Sequence, residues 1–202
     1  MTHSIRTMAR GCVAAFALSA VFAATQAQAQ VCATPGSAGD ATISGIVNTY
    51  WTPGNGTFNN GSTTIALSGQ RGAAATLAPG DLVLVIQMQC ANINTANSLL
   101  YGDGAAGEPA SGYSDPAGSC LAGRYQFVRA GTGTTNTSLN LTGSPLTATY
   151  IQANATNANG RRTFQVIRVP QYANATLGGA VTVSDWNGNS GGVVAIDAAF
   201  TL

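Results

Sequence analysis

The chain has 202 residues, of which only 7% are charged, and its formal net charge is +1. All eight cationic side chains are arginine, with no basic cluster beyond Arg161-Arg162; the footprint of a nucleic-acid-binding surface is therefore missing. The single histidine, His3, sits at the extreme N-terminus, which withholds the imidazole that Ser-His pairs, Cys-His pairs and ordinary zinc sites use. The expectation is a protein that is not an enzyme.

Residues 1–29 read as a signal peptide. Arg6 and Arg10 give a positive start, Gly11 to Ala24 is apolar, and Ala27-Gln28-Ala29 supplies the small-x-small pattern of a signal peptidase site. An apolar run of about fourteen residues is shorter than the ~20 needed to cross a bilayer as a helix, and no second such run follows. Residues 30–202 are then expected to be a single exported β-rich domain without a transmembrane segment. Its six arginines face seven acids, so the surface must be covered largely by Asn, Thr, Ser, Gln and Gly, a composition of secreted β-proteins. Of the four cysteines, Cys12 lies in the signal. In an oxidising compartment Cys90 and Cys120 are the preferred pair, closing a loop; pairings through Cys32 are the open alternatives.

In chain order, Thr42 to Trp51 reads as a first strand, stopped at Pro53-Gly54-Asn55-Gly56. A second, Thr63 to Leu67, follows the Asn59-Asn60-Gly61 turn. Ala73-Ala74-Ala75 suits one helical turn. The central feature is Gly80-Asp81 leading into Leu82-Val83-Leu84-Val85-Ile86, a run that reads as a strand buried on both faces. Alternation from Ile86 sets Gln87 and Gln89 on a face towards solvent. The segment between Cys90 and Cys120 is irregular, and long loops of this kind often carry function. Strands are expected again at Arg124–Arg129, Ser138–Leu141 and Arg162–Val169, then as short pieces at Ala175–Leu177, Val181–Val183 and Val193–Asp197. The chain stops at Leu202 within apolar, strand-like sequence, which reads as the front end of something longer or a truncated copy of it.

The series Gly80 to Gln89, Tyr101-Gly102-Asp103-Gly104, Gly123-Arg124-Tyr125, Arg162 to Tyr172 and Trp186-Asn187-Gly188 with Gly191-Gly192-Val193-Val194-Ala195 resembles the amino-terminal module of large exported surface or adhesin-like proteins of Gram-negative bacteria. The resemblance covers most of Val31 to Leu202. It implies a cell-surface or secreted location and a glycine-rich β continuation; it carries no catalytic or binding residues across. Cys90 and Cys120 look like a local addition to that pattern.

The fold expected is all-β: a sandwich-like domain of short strands with a long loop, its C-terminal end opening a β-solenoid or glycine-rich region. The expected role is a structural or adhesion-related module, with other surface proteins or glycans as partners. The alternative is a carbohydrate-binding module using the 90–120 loop and nearby aromatics, with Trp51, Trp186 and Tyr101 as stacking faces; the competing use of such rings is to plug the ends of a core. No cofactor is expected, calcium being the one ion for which the loop offers oxygen ligands, at Asp103, Glu108 and Asp115. Turn chemistry accounts for the same residues without an ion.

Overall fold

The computed structural model describes residues 34–90, 92–93, 114–115, 120–157 and 159–202. The expected signal peptide, Cys32 and most of the loop between Cys90 and Cys120 lie outside them. The described residues form β-strands and no helix: β1 (Ala41–Ile46), β2 (Thr49–Pro53), β3 (Gly56–Phe58), β4 (Thr64–Gly72), β5 (Leu82–Gln89), β6 (Asn92–Ile93), β7 (Ser114–Asp115), β8 (Tyr125–Arg129), β9 (Ser138–Asn140), β10 (Tyr150–Gln152), β11 (Thr163–Val169), β12 (Gln171–Thr182) and β13 (Asp197–Thr201).

The centre is a six-stranded antiparallel sheet in the order β8-β5-β11-β2-β4-β9, curled as a half-barrel. Its concave filling is one cluster: Trp51, Ile65, Leu67, Val83, Val85, Val128, Phe164 and Val166 from the sheet meet Leu77, Leu139, Leu141, Leu146 and Tyr150. Phe164 sits between Phe58, at 5.3 Å, and Tyr150, at 5.7 Å between ring centroids. Burying a side chain of that size is worth roughly 1.5–3 kcal/mol. The opposite face carries a second cluster, Tyr50, Leu82, Leu84, Ile167 and Val169. Two apolar faces are why β5 opens on an unbroken apolar run, Leu82 to Ile86.

A separate three-stranded sheet, β1-β12-β13, is parallel throughout. In it Ser44 stands opposite the three residues Gly178 to Ala180. A Cβ on Gly178 would come within 2.5 Å of Thr42 Cγ2, so a larger residue in the bulge would have to push the Thr42 side chain aside. Cys90 and Cys120 form a disulfide with their Cα atoms 5.9 Å apart, consistent with the pairing preferred from the sequence.

Four expectations are corrected. The single strand over Thr42 to Trp51 is two strands in different sheets, broken at Val47-Asn48, where Asn48 turns its amide inwards. Ala73-Ala74-Ala75 makes no helical turn: Ala74 takes φ 57°, and Ala73 and Ala75 donate instead to Asn48 O and Thr49 Oγ1. Gln87 does not face solvent; it is 1% exposed, because β10 crosses beneath it and needs its amide. Gln87 Nε2 donates to Ile151 O at 2.8 Å and Oε1 accepts from Ile151 N at 2.9 Å. The strand expected at Val193–Asp197 is an extended strap that becomes β13 only at Asp197.

Candidate functional site

The strap, Ser184 to Ile196, crosses the outer face of the six-stranded sheet and is held there by side chains. It starts in a turn in which Asn187 Oδ1 accepts from the backbone of Asn189 and Ser190, both at 3.0 Å. Arg71 Nη1 donates to Asp185 O and Ser190 O, each at 3.1 Å. Gly191 has φ 109°, and a Cβ there would lie 2.5 Å from Asp185 O, so the turn requires glycine.

Three side chains, two on the sheet and one, Asn48, just before β2, then grip the strap backbone. Gln165 Nε2 donates to Gly191 O at 3.0 Å while its Oε1 accepts from Gly191 N at 2.8 Å. Tyr50 Oη donates to Val193 O at 2.7 Å. Asn48 Nδ2 donates to Ala195 O at 2.6 Å and its Oδ1 accepts from Ala195 N at 3.0 Å. Asn48, Tyr50 and Gln165 are all essentially buried, so each amide meets the rule that a buried polar group be paired. Burial raises the Tyr50 phenol above its ordinary pKa, with a hydrogen bond to the Ser184 backbone offsetting part of the rise.

The strap covers the half of the face over β2 and β11, and no other described residue covers the half over β5 and β8. The result is an open groove of about 550 Å³. Leu82, Leu84 and Ile86 form its floor, Tyr125 and Phe127 one wall, and Val194, Ala195 and Ile196 the other. Tyr125 and Phe127 stand edge to face, 6.0 Å apart at an interplanar angle of 81°. They are 62% and 39% exposed, an apolar area on which a partner would gain by excluding water. Asp197 closes one end, its Oδ2 already accepting from Gln171 Nε2 at 3.0 Å. Volume, lining and exposed aromatics suit binding by contact.

The residues singled out in the sequence do not converge on this groove. Trp51 is fully buried in the concave cluster and has no face to offer a sugar; it plugs a core. Trp186 is half-buried in the strap turn. Tyr101, Asp103 and Glu108 lie outside the described residues, and Asp115 is placed only through the β7 pairing with Asn92. Among the described residues no group of three or more His, Cys, Asp or Glu is arranged to hold a metal ion. Tyr125 and Phe127 alternate along β8 and so share one strand face. That this face was open could not be read without knowing where the strap stops. Compared with known protein families, curated proteins and solved structures, the chain has no match in any of the three.

Proposed function

We propose that this chain is a non-enzymatic structural or adhesion-related module of an exported protein, sandwich-like in its layering. The observation that carries the reading is how its buried polar groups are used. Asn48, Gln87, Gln152 and Gln165 do not converge on a cleft; each bolts one backbone segment to another. Such fully paired amides rigidify and specify a fold. The Cys90–Cys120 disulfide is of the kind that persists in oxidising compartments, and among the described residues no helix is long and apolar enough to cross a membrane. The parallel β1-β12-β13 sheet supports the further reading that the C-terminal end opens a solenoid-like stack. The signal peptide at 1–29 and the resemblance to surface modules of Gram-negative bacteria belong to the same proposal.

The test is expression of the full chain in a Gram-negative host, followed by fractionation, mass determination and thiol titration. A product outside the cytoplasm that begins at Gln30, with Cys90 and Cys120 unreactive, is the expected result. A cytoplasmic, uncleaved chain with free thiols would overturn the exported reading. A second reading, a carbohydrate-binding module, is favoured by the exposed Tyr125–Phe127 pair alone; glycan-array binding lost in Tyr125→Ala would select it.

A further inference from the structure

We infer that the groove is a docking site for one extended polypeptide strand, added to the free edge that runs along the strap into β13. The inference concerns a partner class and stands whether or not the chain is exported.

The strap is oriented by its own hydrogen bonds. Ala195 directs both its N–H and its C=O at Asn48, as a residue in an extended chain does towards one neighbour. Val193 and Ala195 pack down on the outer-face cluster, while Val194 is 47% exposed. In an extended segment the N–H and C=O of Val194 and Ile196 then point the other way, into the groove. No hydrogen bond joins either backbone to another described residue. Asp197 N donates to Pro170 O, so the chain passes without a break from strap to β13. Among the described residues β13 is the edge of its sheet, with β12 on one side and nothing paired on the other. One free strand edge therefore starts beside an apolar floor and continues an existing ladder.

That continuity decides the occupant. An unpaired row of N–H and C=O groups is satisfied repeatedly along its length only by another extended backbone. The floor of Leu82, Leu84 and Ile86, with the Tyr125–Phe127 wall, takes apolar side chains from alternate positions of that strand. Among the described residues Asp197 is the one charged residue lining the groove, and its carboxylate is engaged by Gln171, so the matching strand is uncharged where it lies over the floor.

The experiment uses the full chain and a fluorescein-labelled, end-blocked peptide of alternating threonine and valine, read by anisotropy. Two isomers are compared, one N-methylated on every valine and the other on every threonine. Because alternate N–H groups share an edge, one isomer should weaken roughly tenfold or more and the other should bind like the parent. Tyr125→Ser with Phe127→Ser, checked for fold by circular dichroism, should weaken the parent by a similar factor. Equal binding of both isomers would overturn the proposal in favour of apolar adhesion. No binding up to about 1 mM, the weak end of recognition, would also overturn it. So would self-association that the peptide does not compete, which would assign the edge to a second copy.

Discussion

The two faces of the six-stranded sheet are built from the same kinds of side chain and end differently. The concave face is roofed by its own chain: Leu77, Leu139, Leu141, Leu146 and Tyr150 complete a cluster in which Trp51, Phe164 and Val166 are wholly buried. Among the described residues the outer face has only the strap, and only over part of its width, so Tyr125 and Phe127 remain exposed beside buried Leu82 and Leu84. Apolar composition alone does not make a core; the chain must also return over it. The concave face carries stability, and the uncovered half of the outer face leaves apolar area exposed.

The largest expected effect sits on the closed face. Phe164→Ala should cost about 3–5 kcal/mol in urea unfolding, since it empties the space between Phe58 and Tyr150. Leu84→Ala, below the open groove, should cost less, about 2 kcal/mol, because water and neighbouring side chains can relax into the site. Equal costs would break the comparison between the faces. Next comes the disulfide, which spans a sequence separation of 30 residues. On the loop-entropy account its reduction should lower stability by about 3–4 kcal/mol, visible as a drop in Tm with dithiothreitol; an unchanged Tm would mean that the loop is already constrained without it.

Gln165→Ala sharpens the comparison on the strap side. It strips both partners from Gly191 and should cost roughly 2 kcal/mol. Hydrogen exchange should rise at Gly191 and Ala195 and stay unchanged at Val85 and Val166. Exchange rising equally in both regions would mean that strap and core open as one unit.

The smallest effect is a pH dependence of the closed face. Burial holds the Tyr150 phenol up to about 12, with Arg124 pulling slightly the other way. The folded state therefore keeps a proton that the unfolded chain releases near pH 10. Stability from this group is complete below about pH 10 and is lost as pH rises towards 12. The Tyr150 hydroxyl has no hydrogen-bond partner among the described residues, so Tyr150→Phe should change stability at pH 7 by less than about 1 kcal/mol. It should also flatten the alkaline slope. An unaltered slope in the variant would move the effect to another group.

Much of the sheet was legible because its signals are local. Leu82 to Ile86 is an apolar run opened by the Pro79-Gly80 turn signal, and Phe164 to Val169 is a stretch rich in aromatic and β-branched residues ended by Pro170; both form strands. Gln87 misled, because alternation marks a face as polar without saying what crosses it; β10, about sixty residues on, makes that face an interior one. Asn48 was invisible for the same reason, since its partners Arg168 and Ala195 are over a hundred residues away. Trp51 and Trp186 drew notice as large aromatics, yet the open aromatic wall belongs to Tyr125 and Phe127.

Local chemistry in the chain fixed the all-β character, the place of the central strands, the scarcity of charge and the preferred cysteine pair, because each depends on residues near one another or on simple counts. Tertiary structure alone decided which of the two apolar faces closes, where the strap lies and which backbone edge stays free. Those outcomes rest on pairings between distant segments, and a residue's own sequence neighbourhood carries no record of what will be folded against it.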